Sequence, residues 1–269
     1  MQAHTIQRNS LVYEEAGQGP AVLLLHDLPL NRQMWRAQIE TISRQGYRVI
    51  APDLRGFGDN PTAGKTPSLT AAARDILALL RYLGIGRAVM VGSGMAASLI
   101  REIMQRQPRR VAAVCLLAPS TRPAGVDSDI CGKDLAEMVR EGHKATAIDV
   151  LIDKLLPECR PLHIQEIGWQ VQGWLEKLDE ATLTGSLALT GEQFVATCQR
   201  PVLVLHGSRT TGLSAEAVLQ GSNIHDEIVA GAGLLLNIEQ PERVNRCLLD
   251  FLNWLNLAKP RHELLARAA

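Results

Sequence analysis

The amino-acid sequence predicts an α/β protein: a mostly parallel, doubly wound sheet with a helical cap inserted into it. Three observations carry this. Five short apolar runs lack the alternation of a half-solvated strand, so they read as strands buried on both faces. Amphipathic stretches at helical spacing lie between them. One long segment, from about Thr121 to Gln199, contains helix-like pieces and no buried-strand run.

The strand candidates are AVLLLH (Ala21 to His26), RVIAPD (Arg48 to Asp53), RAVMVG (Arg87 to Gly92), VAAVCLLAP (Val111 to Pro119) and PVLVLHG (Pro201 to Gly207). The clearest helix runs through Ala71–Leu80, with Gly84 as its C-terminal stop. Another runs from Pro241 to Leu257, with proline in the first turn and Val244, Leu248, Phe251, Leu252 and Leu255 as an apolar stripe. Strand–helix alternation of this kind gives right-handed crossovers. The interruption divides the chain into a core of residues 1–120 and 200–269 and a cap of residues 121–199. The cap segments are DLAEMVREGHKATAIDVLIDKLL and IQEIGWQVQGWLEKL. They are expected over the carboxyl ends of the strands, where ligands of open α/β sheets bind.

Composition narrows the function classes. The chain has 269 residues, 46% of them hydrophobic, with 28 basic and 28 acidic side chains, so a large core forms and no net charge favours nucleic acid or an anionic membrane. The one short basic cluster, Gln107-Pro108-Arg109-Arg110, reads as a helix C-terminus. Five scattered cysteines give neither a disulfide framework nor a CxxC metal site. Cys159 and His163 are four apart, but Pro161 breaks the helical face that a metal would need. No secretory signal is visible and no apolar stretch approaches about 18 residues. A cytoplasmic protein without metal or cofactor is expected.

The informative stretch is VMVGSGMAASL, Val89 to Leu99. Strand, tight turn and helix are the setting of a G-x-S-x-G nucleophile elbow, whose serine sits at the tip. Here the tip is Gly94, and Ser93 stands one place early. Glycine takes the strained positive φ of such a tip without penalty. Ser93 reads as a small residue bonded locally within the turn.

The strings GPAVLLLHDLPLNRQMWRAQI, GYRVIAPDLRGFGDN, LGIGRAVMVGSGMAAS, PVLVLHG and AGAGLLLNIEQPERVNRCLLDFL occur in the order found in the α/β-hydrolase superfamily. The chain resembles that superfamily along its whole length, and within it the capped esterases, lactonases and carbon–carbon bond hydrolases. The resemblance implies the α/β-hydrolase fold. It also implies three catalytic positions, each of which is substituted: the nucleophile falls on Gly94, the acid on Thr210 and the base on Leu234. None of these can attack, orient or take a proton in the family's manner. Nor does the neighbourhood replace them. His225 lies upstream, Glu216 is well past the acid position, and Asp127 and Asp129 orient nothing without a histidine.

The oxyanion side is altered as well. His26-Asp27-Leu28-Pro29 stands where the family has His-Gly-X. Leu28 and Met95 still offer backbone N–H groups, the latter at a helix N-terminus. Asp27, if ionised and facing inward, opposes a developing oxyanion; facing outward, it caps a turn. The polar groups at hand are His26, Asp27 and Ser93, and the expected ligand contacts are Asp27, Leu28, Trp35, Ser93, Gly94, Met95 and Leu234, with Trp169 or Trp174 of the cap above.

Several functions follow as expectations. The first is a non-hydrolytic protein binding a small hydrophobic molecule in this pocket. The second is a cyclase, isomerase or lyase of a biosynthetic pathway using the same pocket. The third is a cryptic serine hydrolase through Ser93. A scaffold protein with an idle pocket is the fourth. A protein partner or a homo-oligomer is open in each.

Overall fold

A computed structural model describes residues 2–6, 11–60, 67–119, 132–156, 162–188, 199–210 and 223–255. Eight strands form one sheet: β1 (Gln2–Ile6), β2 (Leu11–Ala16), β3 (Ala21–Leu25), β4 (Arg48–Pro52), β5 (Ala88–Ser93), β6 (Val111–Leu117), β7 (Val202–Gly207) and β8 (Ile224–Val229). Their spatial order is β1-β2-β4-β3-β5-β6-β7-β8. The first two strands pair antiparallel, and β2 runs antiparallel to β4; every other neighbouring pair is parallel.

The five predicted strands form the interior of this sheet, and all residues of β5 and β7 are buried. Three strands lacked an apolar run. The edge strand β8 exposes Asp226, Glu227 and Ile228, and β2 alternates buried and partly exposed positions, so neither reads as buried on two faces.

Five helices pack around the sheet: α1 (Arg36–Arg44), α2 (Leu69–Tyr82), α3 (Ala96–Arg106), and, after β8, the short α8 (Leu236–Glu239) and α9 (Pro241–Trp254). Ser68 caps α2 by accepting from Ala71 N–H at 3.4 Å, and Gly84 follows its end at φ +67°. Arg106 ends α3, and the Arg109–Arg110 cluster forms a 3₁₀ turn before β6. Its Arg110 guanidinium donates to the Ile85 carbonyl at 2.6 Å.

Between β6 and β7 the described residues form four helices and no strand: α4 (Gly132–Arg140), α5 (Lys144–Leu155), α6 (Leu162–Glu176) and α7 (Glu180–Ala188). The first expected helical piece is broken into α4 and α5 at Gly142, which takes φ +88°. Lys144 ties the insert together by donating to the carbonyls of Glu176 (2.9 Å) and Leu178 (2.7 Å). Asp127, Asp129, Glu216, Cys159 and the tail after Pro260 lie outside the described residues. Among those described, no helix is long and apolar enough to cross a membrane.

An ion cluster fixes the loops near the strand ends. Asp53 is fully buried and receives the Arg32 guanidinium, the Arg32 backbone N–H (2.8 Å) and the Asp59 N–H (2.8 Å). Arg32 also reaches Asp59 (2.7 Å) and Glu14 (3.3 Å). Gly58, at φ +57°, allows the close approach: a Cβ there would fall on the Asp53 carboxylate.

Candidate active site

The site forms where β3 and β5 end side by side. After Ser93 the chain turns through Gly94 at φ +52° and enters α3 through Met95, so the strand–turn–helix elbow is present. After Leu25 the chain continues through His26 and Asp27 into the turn before the 3₁₀ segment Arg32–Trp35.

Asp27 faces inward. Its Oδ1 accepts the Met95 N–H at 2.8 Å and the Leu28 N–H at 2.8 Å. These are the two backbone donors expected to serve an oxyanion, and the protein's own carboxylate takes both. A Cβ built on Gly94 would coincide with this carboxyl group. The Asp27 side chain therefore occupies the space that an elbow side chain would need. Its Oδ2 makes no hydrogen bond among the described residues. The Asp27 backbone is fixed too: its N–H donates to Met34 Sδ (3.4 Å) and its carbonyl accepts the Leu30 N–H (2.8 Å).

Burial pushes the Asp27 carboxyl up to about 7, against the opposing pull of the two N–H groups. In the unfolded chain this aspartate ionises near its ordinary value of 3.8; in the folded chain it stays protonated until about 7. The group thus costs nothing below pH 4, costs progressively more as pH rises from 4 to 7, and imposes its full penalty above 7. The rise from 3.8 to about 7 bounds that penalty at ~4 kcal/mol, and the side chain's partial contact with solvent reduces it to about 1–3 kcal/mol. Asp27→Asn keeps an oxygen for both N–H groups without a charge. Denaturant unfolding is expected to show this variant gaining on the natural protein as pH rises from 4 to 8; parallel curves would refute the assignment.

His26, a candidate acid or base, has both ring nitrogens committed. Its Nδ1 donates to the Asp27 carbonyl (2.8 Å) and its Nε2 accepts the Leu54 N–H (2.8 Å). Burial lowers its pKa, so the ring is neutral and holds two loops together. Its role as a proton-transfer candidate is corrected to this one.

Ser93 is fully buried, and its hydroxyl has no hydrogen-bond partner among the described residues. It is neither exposed at the elbow tip nor bonded within the turn, and it cannot reach a ligand. Trp35 is also fully buried and belongs to the core, which removes it from the expected ligand contacts. Leu28, Met95 and Leu234 are partly accessible.

Thr210 and Leu234, onto which the resemblance maps the acid and the base, are held structurally. Thr210 donates its hydroxyl to the Gly207 carbonyl at 2.6 Å. Leu234 sits in the turn before α8. That turn is organised by the fully buried Glu239, whose carboxylate accepts the N–H groups of Gly233 (3.1 Å) and Leu235 (3.2 Å) and pairs with the Arg209 guanidinium. Arg209 and Glu239 so join the loops that carry Thr210 and Leu234. Among the described residues no histidine hydrogen-bonds a serine hydroxyl or the Asp27 carboxylate.

With the fold and this site in view, the chain belongs to the alpha/beta hydrolase fold family, whose model matches residues 20–154, half of the chain. It is similar to the AB hydrolase superfamily protein YisY of Bacillus subtilis, with 26% identity over 93% of this chain and 97% of that one. It is also similar to epoxide hydrolase 2 of Siraitia grosvenorii, 40% identical over 42% of this chain and 37% of that protein. Among solved structures, a thermophilic esterase from Thermogutta terrifontis superposes with a TM-score of 0.78 at 26% identity, covering 95% of this chain and 99% of the other.

These relatives overturn two expectations. They are named as hydrolases, so the readings of a non-hydrolytic small-molecule binder and of a cyclase, isomerase or lyase do not stand.

Proposed function

We propose that the protein is a hydrolase in which Asp27, rather than a side chain on the elbow, supplies the catalytic carboxylate. The observation that carries this is the placement of Asp27: its carboxyl group fills the space above Gly94, with Oδ1 on two backbone donors and Oδ2 unbonded among the described residues. The hydrolase names of the relatives support the reaction class.

The arrangement favours attack at a saturated carbon. A substrate carbonyl would need the N–H pair that Oδ1 already holds, so acyl transfer lacks its usual charge stabilisation. An epoxide needs no such hole. Oδ2 donates its electron pair to an epoxide carbon, the C–O bond breaks towards the ring oxygen, and water supplies the proton that neutralises the alkoxide. The product is an ester of Asp27. Water then attacks Cγ, and the negative charge that develops on Oδ1 faces the Leu28 and Met95 N–H groups. Collapse breaks the Cγ–Oδ2 bond, a proton from the attacking water passes to Oδ2, and the diol leaves carrying Oδ2 as one of its hydroxyl oxygens. One oxygen of the restored carboxyl group comes from water. Leu234 takes no proton, so ester hydrolysis is the slower half and the ester accumulates. In this reading the helices α4–α7 of the insert form the cap that keeps bulk water from the strand ends.

The experiment is a single turnover of styrene oxide, enzyme in excess, in water enriched in the heavy oxygen isotope. The peptide containing Asp27 is expected to gain one heavy oxygen while the first diol carries none. Label found in the first diol, with Asp27 unlabelled, would sink the proposal.

A further inference from the structure

Charge in this chain is balanced overall but unevenly placed. Residues 121–199 have 7 basic and 13 acidic side chains, and the remaining residues have 21 and 15. The fold sets arginines and acids at opposite ends of the sheet. At the carboxyl ends of the strands lies α6 of the insert, whose Trp174 Nε1–H donates to Gln33 Oε1 at 2.8 Å, in the 3₁₀ segment after β3. At the amino ends, Arg87 precedes β5, Arg109 and Arg110 precede β6, and Arg200 precedes β7. These three strands are neighbours about 4.8 Å apart, so their entries form one row. Arg81 joins it from the last turn of α2.

Part of the arginine end is already committed. Arg48 and Arg106 pair with Glu15 and Glu102, while Arg110 donates to the Ile85 carbonyl (2.6 Å) and Arg200 to that of Pro108 (3.4 Å). Arg81, Arg87 and Arg109 are exposed, and their guanidinium groups have no ion pair or hydrogen bond among the described residues. The outward face of α6 has the complementary chemistry. Glu166, Trp169, Gly173 and Glu176 recur there at helical spacing. Trp169 is 69% exposed, an indole left to water rather than packed. A Cβ on Gly173 would meet nothing within 4 Å, so the surface between Trp169 and Glu176 is open. The Glu166 carboxylate has no partner among the described residues; Glu176 accepts only the Gln172 amide (2.9 Å), and Lys177 is the base at the margin.

We propose that the arginine end of one copy of this chain docks on the α6 face of a second copy, head to tail. A guanidinium group lies flat on the Trp169 indole, and its neighbours pair with the Glu166 and Glu176 carboxylates. Arginine and tryptophan are the side chains that most often dominate interfaces. The chain's zero net charge sets no overall repulsion against approach, and the separated excesses orient two copies end to end. The two patches are different surfaces, so the contact is heterologous. Each added copy presents a free patch of the other kind, and short chains grow instead of a closed dimer.

Sedimentation equilibrium of the full-length protein tests this. The average mass is expected to climb with concentration at about 10 mM ionic strength, and the association constant to fall at least about tenfold at about 150 mM, as the screening length shrinks from about 30 to 8 Å. Arg87→Glu with Arg109→Glu is expected to be monomeric, and so is Glu166→Arg with Glu176→Arg. All four positions are exposed, so both variants are expected to keep the natural unfolding transition. Mixed together, the two variants are expected to associate, because each retains the patch that the other needs. The neutral pair Arg87→Gln with Arg109→Gln weakens self-association without a reversed charge, and Trp169→Ala weakens it about two- to fivefold. A natural protein that stays monomeric up to about 1 mM would overturn the proposal. So would association that survives either reversal, variants that fold but do not associate when mixed, or an unchanged constant in Trp169→Ala. A single-stranded oligonucleotide bound by a monomeric natural protein, and lost in the Arg87/Arg109 variants, would assign the arginine end to nucleic acid instead.

Discussion

Asp27→Asn is expected to lower turnover of styrene oxide by at least about 10³-fold while leaving the fold intact. Asparagine has nearly the shape of aspartate, and its oxygen still accepts the N–H groups of Leu28 and Met95. What it lacks is the electron pair of an ionised Oδ2. Two further readouts separate a lost nucleophile from a disturbed site. Mass spectrometry of the natural protein mixed with substrate is expected to show a covalent ester, and Asp27→Asn is expected to show none. The rate of ester formation is expected to rise with pH and level off above about 7, because only the ionised carboxylate attacks and burial holds its pKa there. Retention of more than a tenth of the activity in the asparagine variant, or a rate falling through that pH range, would refute Asp27 as the nucleophile.

The same carboxylate marks the boundary of what the sequence reveals. The parallel strands were legible because burial on both faces leaves continuous apolar runs, as in Val22–Leu25 and Val202–Leu205. The edge strand β8 was not, since its exposed Asp226 and Glu227 break the run. The resemblance implied three catalytic positions one by one, at Gly94, Thr210 and Leu234. That Asp27 and Gly94 form one unit was not, because they lie 67 positions apart in the chain and meet only through the pairing of β3 with β5. A signal existed: the resemblance implies glycine in one loop and a side chain in the other, and this chain has aspartate at 27 and glycine at 94. A carboxylate gained at one strand end and a side chain lost at its neighbour suggest an exchange of volume. His26 and Ser93 misled because proximity in sequence to a catalytic turn does not reveal which hydrogen bonds a buried side chain already makes.

If that exchange is physical, residue 94 cannot be changed alone. Gly94→Ser is expected to destabilise the protein by about 2–5 kcal/mol and to leave it without esterase activity. The new Cβ would coincide with the Asp27 carboxyl, so the carboxyl must leave. Its departure unpairs the N–H groups of Met95 and Leu28, at about 1–3 kcal/mol for a buried donor that finds no water. Serine at φ +52° adds about 1–2 kcal/mol of backbone strain. Activity does not return with the hydroxyl, since Leu234 offers no base to take its proton. The sharper measurement is a double-mutant cycle. Asp27→Gly empties the space that the introduced serine side chain would need, so the pair Asp27→Gly with Gly94→Ser is expected to be more stable than the sum of the single effects by about 1–3 kcal/mol. Strictly additive unfolding free energies would mean that residues 27 and 94 do not share one volume, and the carboxylate would lose its claim to the place of the elbow side chain.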